Sequence, residues 1–307
     1  MALGVPGTLV GCWTDEVNGT GVTVVLPRSG SLGAVSVRGG APGTREAAAL
    51  GPTASGIECH GVVLCGNSVF GLAAADGVVS WCVENQRGLD LPTARIPVVG
   101  AAVVFDIRDP DAPRPGPAAG ISACDAATEM DPMMGRVGVG RGCTVGKVAG
   151  RNHSVAGGQG WAIARSGEVT VGALMAVNAF GDVLDEQGAT LAGSTAPMDA
   201  PRYPAASLED IQAWQIGEER ANTTIGCLVT NATLSKPEAC RAADLAHTGI
   251  ARSVDPPHTS VDGDALFLLS SQQVKASVDL VADLGAKAVA GAIRAAVRAA
   301  ASQPERG

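Results

Sequence analysis

The segment Ala221-Asn-Thr-Thr-Ile-Gly-Cys-Leu-Val-Thr230 changes from polar to apolar within a few residues. Asn222, Thr223 and Thr224 are polar, whereas the residues from Ile225 to Val229 are apolar or small. A short apolar run of this kind predicts a buried strand over residues 224–230. On its own, a polar step into a strand is typical of many loops, so the rest of the chain must decide what this one does.

Other segments predict the elements that surround this strand. Compact apolar runs predict further buried strands at residues 21–27, 97–107, 168–178 and 264–270. Helical spacing of apolar residues predicts helices at residues 68–85, about 208–217, 235–253 and 272–302. The third helix begins with Ser235-Lys-Pro-Glu238, which matches a capping box. This mixture of strands and flanking helices indicates a layered α/β or α+β domain.

Composition and charge argue against several kinds of partner. The 307 residues carry a formal net charge of −8, whereas nucleic acids and anionic membranes are bound by clustered Lys and Arg. No apolar run reaches the roughly 20 residues that span a bilayer, and residues 1–10 lack the regions of a signal peptide. We therefore expect a cytoplasmic protein. Its eight cysteines form no Cys-x-x-Cys pair, so we expect buried thiols rather than disulfides or zinc ligands.

Two apparent motifs fail on inspection. The glycine-rich stretch 138–147 departs from the phosphate-loop pattern, because Arg141 replaces a required glycine and Val148 replaces a required Ser or Thr. Cys59 and His60 are adjacent, but neighbouring strand residues point to opposite faces, which argues against a catalytic dyad. The histidines show no metal-ligand spacing, so we expect neither metal nor cofactor; they are His60, His153, His247 and His258.

Several stretches together resemble one known family. They are Asn222-Thr-Thr-Ile225, Val229-Thr-Asn231, His258-Thr-Ser-Val-Asp-Gly-Asp-Ala-Leu-Phe267, Gly146-Lys147 and Val177-Asn178, with weaker similarity from Gly61 to Asp106. The chain thereby resembles the N-terminal-nucleophile hydrolases that include an L-aminopeptidase/D-amidase/D-esterase and the endo-type 6-aminohexanoate-oligomer (nylon oligomer) hydrolases. In the nylon-hydrolase branch the chain cuts itself between Asn and Thr. The resemblance therefore implies self-cleavage between Asn222 and Thr223.

The chemistry explains why the nucleophile should lie at a new N-terminus. A threonine hydroxyl is a weak nucleophile and requires a base. After cleavage Thr223 carries its own α-amine, whose ordinary pKa of about 7.7–8.0 leaves a useful neutral fraction near pH 7. That amine takes the hydroxyl proton directly or through one water, so no histidine is required.

Four further residues occupy positions that the family uses. The resemblance implies that Asn178 donates to an oxyanion and that Lys147 stabilises charge beside the nucleophile. It implies that Asp262 and Asp264 hold the amine of Thr223, and two residues apart they face one side if extended. From the residues alone, the lysine is also consistent with a surface position, the asparagine with a strand end, and Asp-Gly-Asp with a turn.

Two positions bear on the choice of substrate. Phe105 stands where the nylon-oligomer hydrolases have a tyrosine, so any contribution of that hydroxyl is lost, and we expect Phe105 to lie at the substrate site. The aminopeptidase branch uses serine as its nucleophile, so Thr223 points toward the other branch.

The resemblance also implies an architecture and an activity. We expect two stacked β-sheets between helix layers, formed jointly by fragments 1–222 and 223–307 as one domain, and a tetramer of cleaved heterodimers. The expected activity is hydrolysis of linear oligoamides such as 6-aminohexanoate oligomers, or of peptide-like amides. Three alternatives are an aminopeptidase or D-amidase of the same family, acyl transfer like that of ornithine acetyltransferase, and a self-cleaved binding protein.

Overall fold

The computed structural model describes residues 1–56, 58–200, 202 and 222–303, and the helix predicted at about 208–217 lies outside them. Ten strands build the two main sheets. In chain order they are β1 (Leu9–Asp15), β2 (Thr20–Leu26), β3 (Leu32–Val37), β4 (Thr44–Arg45), β5 (Gly61–Cys65), β6 (Val99–Val103), β7 (Gly158–Ser166), β8 (Val169–Asn178), β9 (Thr223–Thr233) and β10 (Ala265–Lys275).

The segment that begins at Thr223 forms the central strand of its sheet. The strand order of that sheet is β7-β8-β9-β10-β3, and that of the other sheet is β1-β2-β5-β6-β4. Strand β9 runs antiparallel to β8, with Asn178 opposite Thr223, and parallel to β10, with Ile225 opposite Ala265. The ends of three strands therefore meet at one edge of the sheet.

Alternation along the strands produces three separate cores. In β9, Ile225 and Cys227 pack between the two sheets, whereas Leu228 points to a helix layer. In β2, Val25 packs between the sheets and Val24 faces the other helix layer. Since side chains of a strand alternate between its faces, both sheets are buried on both sides. The result is the predicted stack of two sheets between helix layers.

In the described part of the chain, four α-helices cover the outer faces of the sheets. They are α1 (Ala74–Glu84), α2 (Pro117–Asp125), α3 (Lys236–Ala251) and α4 (Val278–Ala301). The predicted capping box is present at α3, where the Ser235 N–H donates to Glu238 Oε2 at 2.8 Å. Helix α4 lies close to β7, where a Cβ added to Gly160 would stand 2.3 Å from the Ala292 carbonyl oxygen.

Three predicted boundaries differ from the structure. The last helix begins at Val278, because β10 continues to Lys275, opposite Thr233, and Ser277 then accepts from the Leu280 N–H at 3.2 Å. The first helix begins with a 3₁₀ turn, Ser68–Ala73, and the strand predicted at 97–107 contracts to β6. Strand ends and first helical turns depend on pairing and capping partners elsewhere in the chain.

Shorter elements connect the layers. They are the strands Leu89–Asp90, Arg95–Ile96, Thr144–Val145, Val155–Ala156, Asp182–Leu184, Thr190–Ala192 and Val254–Asp255, and the 3₁₀ turns Ala2–Gly4, Gly138–Gly140 and Arg151–His153. Within the described ranges, no helix is both long enough and apolar enough to cross a membrane. All eight cysteines carry free thiols, and all except Cys12 are buried.

Candidate active site

The five polar residues singled out in the sequence come together at one sheet edge. Asn178 ends β8 and Thr223 begins β9, and these two residues are direct strand partners. Asp262 and Asp264 immediately precede β10, and Asp262 forms a bridge with Asn222. Each of these residues is at most 5 % exposed. Lys147, which is 4 % exposed, reaches the same edge from a separate loop.

The peptide bond between Asn222 and Thr223 lies against a hydroxyl and an amide donor. The Thr223 hydroxyl contacts the Asn222 carbonyl oxygen. The Gly263 N–H donates to the same oxygen at 3.0 Å. A Cβ on Gly263 would lie 2.9 Å from Thr223 Oγ1 and 3.0 Å from the Ala41 carbonyl oxygen, so a larger residue would displace the hydroxyl.

Lys147 is held by Asn178. Its ammonium group donates to the Asn178 carbonyl oxygen at 2.9 Å and to Asn178 Oδ1 at 3.0 Å. The same Oδ1 accepts from the Thr144 N–H at 3.0 Å, while Asn178 Nδ2 donates to the Phe105 carbonyl oxygen at 3.1 Å. Gly146 precedes the lysine with φ +76°, a left-handed conformation that glycine adopts without strain.

Burial controls the protonation of Lys147. Removal from water lowers the pKa of Lys147 to about 7, because the charged ammonium loses its hydration. The nearby Arg151 lowers it further, whereas Asp262 opposes the shift. A lysine with this pKa exchanges its proton near neutral pH, as groups in active sites commonly do.

Asp264 binds both the start of β9 and a histidine. Its Oδ1 accepts from the Thr224 N–H at 2.6 Å. Its Oδ2 accepts from His258, at 2.7 Å from Nδ1 and 3.3 Å from the backbone N–H. This carboxylate therefore connects Thr224, the residue after Thr223, to a loop six residues upstream of Asp264.

Asp262 has different partners. Its Oδ2 accepts from the Thr259 N–H at 2.8 Å and from the Thr259 hydroxyl at 2.5 Å. Burial, and then the neighbouring charge of Asp264, raise the pKa of Asp262. The two aspartates precede the strand rather than extend it, so their separation of two residues does not give them one common partner.

Backbone N–H groups of residues 38–41 hold the aspartate loop in place. The N–H groups of Arg38 and Gly39 donate to the Asp264 carbonyl oxygen at 3.0 and 3.1 Å, and the Ala41 N–H donates to the Asp262 carbonyl oxygen at 2.8 Å. A Cβ on Gly39 would lie 2.2 Å from Asp264 N. Only glycine, which has no Cβ, lets the backbone at residue 39 come this close to the backbone of Asp264.

Sequence reasoning missed Gly263, Thr259 and His258, although all three lie in the stretch that carries the resemblance. The missed donor to the Asn222 carbonyl oxygen is a backbone N–H, and backbone donors leave no signal in side-chain identity. The side-chain N–H₂ of Asn178 donates to the Phe105 carbonyl oxygen, and its expected role at an oxyanion stays a prediction. In this structure Asn178 holds Lys147 through its carbonyl oxygen and its Oδ1.

Other singled-out residues lie apart from this edge or beside it. The Asn231 side chain accepts a hydrogen bond from the Thr170 N–H and donates one to the Glu168 carbonyl oxygen. Both bonds lie at the opposite end of β8 and β9. His60 accepts from the Val98 N–H, at 3.0 Å to Nδ1. Phe105 is half-buried beside the site, with the Arg151 guanidinium 5.7 Å from its ring centroid. Among the described residues, no cluster of three His, Cys, Asp or Glu side chains is arranged to hold a metal.

The chain was compared with known proteins. Residues 3–306 match peptidase family S58. An uncharacterized aminopeptidase of Mycobacterium tuberculosis is 42 % identical over 265 residues, covering 83 % of this chain and 74 % of that protein. A 6-aminohexanoate-oligomer endohydrolase of Agromyces sp. is 31 % identical over 276 residues, covering 88 % of this chain and 74 % of the relative.

Solved structures share the architecture. The L-aminopeptidase D-Ala-esterase/amidase of Ochrobactrum anthropi superposes with a TM-score of 0.69 at 20 % identity, covering 97 % of this chain and 85 % of that one. That structure is described as a variant of the N-terminal-nucleophile hydrolase fold. The sequence matches show that the chain belongs to peptidase family S58 and is a hydrolase of amide bonds, and the structural match shows that it has the fold of the N-terminal-nucleophile hydrolases.

Proposed function

We propose that the chain cuts itself between Asn222 and Thr223 and then uses Thr223 as the nucleophile that hydrolyses linear amides. The observation that carries this proposal is the environment of one carbonyl group. The Asn222 carbonyl oxygen accepts from Gly263 N–H at 3.0 Å and is in contact with the Thr223 hydroxyl. An amide donor at a carbonyl oxygen stabilises the negative charge that develops during attack.

In the proposed self-cleavage, Thr223 Oγ1 attacks the Asn222 carbonyl carbon. The carbon–nitrogen bond breaks, the nitrogen leaves as the α-amine of Thr223, and Asn222 becomes an ester of the threonine hydroxyl. Water then hydrolyses that ester. The products are residues 1–222 and the 85 residues 223–307, since 307 − 222 = 85.

In the proposed amide hydrolysis, the freed amine takes the proton of the Thr223 hydroxyl as it attacks the substrate carbonyl. The proton then passes to the departing amine of the substrate, and water releases the acyl group from Thr223. Lys147, fixed by two bonds to Asn178, lies where its charge stabilises the site. Asp262 and Asp264 supply negative charge beside the new ammonium group.

The sheet explains why the proposed fragments stay together. Strand β9 would begin the small fragment, and its hydrogen-bonding partner β8 would belong to the large one. Both faces of β9 are buried, so separating the fragments would expose two cores. The resemblance further supports a tetramer of cleaved heterodimers, which light scattering on purified protein would test.

Two substrate classes follow from the relatives. Oligoamide hydrolysis is supported by the threonine nucleophile and by the Agromyces relative, named a 6-aminohexanoate-oligomer endohydrolase. Aminopeptidase action is supported by the Mycobacterium relative, which has the higher identity to this chain, 42 % against 31 %. Acyl transfer to an amine, as in ornithine acetyltransferase, remains a third outcome, and an added amine acceptor would reveal it.

The test combines mass and turnover. We expect intact-mass analysis to give two fragments and N-terminal sequencing of the smaller to read Thr-Thr-Ile-Gly-Cys. The processed protein should release monomers or short products from a 6-aminohexanoate oligomer, and an amino-acid p-nitroanilide serves as the aminopeptidase probe. A full-length, uncut protein that is fully active would contradict the mechanism. Processed protein that cleaves neither substrate would support the binding-protein alternative.

The low pKa of Lys147 gives a stability prediction. Folding lowers the pKa from 10.5 to about 7, so between these values the unfolded state binds more protons and wild-type stability rises with pH. Lys147→Met removes the free-energy cost of burying an ionisable amine. In an uncut Thr223→Ala background, the variant should be more stable than its parent at pH 6 by on the order of a few kcal/mol.

That difference should shrink as the pH approaches 10, and urea unfolding across this range measures it. With Thr223 retained, Lys147→Met should impair cleavage, turnover or both. Lys287→Met is the control, because Lys287 is an exposed partner of Asp283. The same pH dependence in both variants would place Lys147 in an ordinary hydrated environment.

Phe105 gives a prediction about substrate binding. The carbonyl oxygen of Phe105 accepts from Asn178, and a side-chain replacement leaves that backbone group in place. The half-buried ring of Phe105 faces Arg151. Phe105→Leu should therefore raise KM by about five- to tenfold and change kcat by less than about twofold. Steady-state kinetics on processed protein measures both. A fall in kcat with unchanged KM would remove the ring from the substrate site.

A further inference from the structure

We propose that His258 is a positioning residue that orients Asp264 in the Thr223 site. This inference rests on the proposed function of Thr223 and assigns a role to a histidine outside the expected catalytic set. His258 does not contact the reacting bond in this proposal. It acts through the carboxylate that binds the start of β9.

The geometry around His258 is specific. Both its ring Nδ1 and its backbone N–H point at Asp264 Oδ2, at 2.7 and 3.3 Å. With Oδ2 held in this way, Oδ1 accepts from the Thr224 N–H at 2.6 Å. The imidazole thus fixes the rotation of a carboxylate that binds the residue next to the proposed nucleophile. Asp262 has no such partner, since its Oδ2 is held by Thr259.

The backbone of His258 is adapted to this contact. Its φ is +52°, in the left-handed region that residues other than glycine seldom occupy. This conformation turns the N–H and the ring toward the same oxygen. Backbone strain of this kind persists where the surrounding structure enforces it, and it clusters at functional sites.

The neighbours of His258 leave Asp264 as the charge it faces. His247 packs edge-on, with ring centroids 4.9 Å apart. Its Nε2 lies 3.2 Å from the Ser36 carbonyl oxygen, which only accepts, so Nε2 carries the proton. Burial, and then the neighbouring His258, lower the pKa of His247 to about 4, so His247 is neutral at physiological pH. Arg38 and Asp244, which lie near His247, pair with each other at 2.8 Å.

These contacts assign the tautomer of His258. A carboxylate oxygen accepts, so Nδ1 carries the proton that it donates to Asp264 Oδ2. Oriented in this way, the carboxylate binds Thr224, the residue next to the nitrogen that would become the amine of Thr223. No proton has to leave His258 for this role.

The test uses two replacements that both tolerate a left-handed backbone. His258→Asn places an amide donor near the position of Nδ1, whereas His258→Gly removes the donor entirely. In processed protein, His258→Gly should lower kcat by on the order of 10- to 100-fold, as loss of a supporting partner does, with KM changed by less than about twofold. His258→Asn should recover most of that loss.

Two further arms separate positioning from general damage. His60→Asn is the control, because His60 is also buried and its Nε2 lies 3.4 Å from the Glu58 carboxylate. His60 lies away from the site, so this variant should keep wild-type kcat. In an Asp264→Asn background, His258→Gly should add less than about twofold, since its partner charge is gone. Urea unfolding of each variant distinguishes a loss of folding from a loss of kcat.

Equal losses in His258→Asn and His258→Gly, or full additivity with Asp264→Asn, would overturn the proposal. Wild-type kcat in His258→Gly would do the same. Wild-type protein that neither cuts itself nor hydrolyses amides would instead contradict the proposed function, whatever the histidine variants show.

Discussion

Thr223→Ala should yield a single uncut chain of 307 residues without amidase activity. One hydroxyl serves both reactions in the proposed mechanism, so its removal should abolish self-cleavage and lower turnover by on the order of 10⁴-fold or more. Intact mass and oligoamide digestion measure the two losses. Thr223→Ser keeps a hydroxyl and should retain cleavage and some turnover.

The neighbouring threonine provides the matched control. Thr224 contributes its backbone N–H to Asp264, and Thr224→Val preserves that N–H and the β-branched shape. This variant should still cut between residues 222 and 223. Normal cleavage in Thr223→Ala would show that another group attacks the peptide bond. Loss of cleavage in Thr224→Val with normal cleavage in Thr223→Ala would move the nucleophile by one residue.

Asp262→Asn and Asp264→Asn should separate the two reactions. Before cleavage the nitrogen of Thr223 is a neutral amide, and only afterwards is there an ammonium group for a carboxylate to hold. Asparagine keeps the size and much of the hydrogen bonding while removing the charge. Each variant should therefore process at least partly, yet hydrolyse amides about 10²- to 10⁴-fold more slowly, the range of acid–base assistance.

The pH dependence of these variants has a definite sign. A nearby carboxylate favours the protonated amine, so its removal lowers the pKa of that amine. The acid limb of kcat/KM should then shift to lower pH. The measurement is a pH–rate profile on fully processed protein, with processing checked by mass. Asp283→Asn is the control, because Asp283 pairs with Lys287 on the exposed face of α4.

An unchanged rate and an unchanged acid limb in both aspartate variants would reduce the Asp-Gly-Asp run to a structural turn. The structure already gives the two residues different tasks before cleavage. Asp264 bonds the Thr224 N–H, whereas Asp262 bonds Thr259 and has a raised pKa. Asp264→Asn should accordingly disturb the position of Thr223 more than Asp262→Asn does.

Much of the architecture follows from local pattern. The apolar runs at 168–178 and 224–230 predicted β8 and the core of β9, and Ser235-Lys-Pro-Glu238 predicted the start of α3. These elements were predictable because strand burial, helix capping and turn chemistry depend on residues close together in the chain. The start of α4 was not, since it depends on where β10 stops pairing with Thr233.

The candidate site, like the fold, depends partly on local sequence and partly on tertiary structure. The sequence by itself determined which side chains are available, because motif positions alone predict the site residues Thr223, Lys147, Asn178, Asp262 and Asp264. Only the tertiary structure decided their partners. The direction of β9, antiparallel to β8 and parallel to β10, brings three distant strand ends to one edge.

The same folding directs Gly263 N–H to the Asn222 carbonyl oxygen and His258 to Asp264. Backbone N–H groups are present at every residue except proline, and a histidine bonds whatever the fold brings near it. Their roles come from position rather than from residue type, and position is set by the packing of segments far apart in the chain.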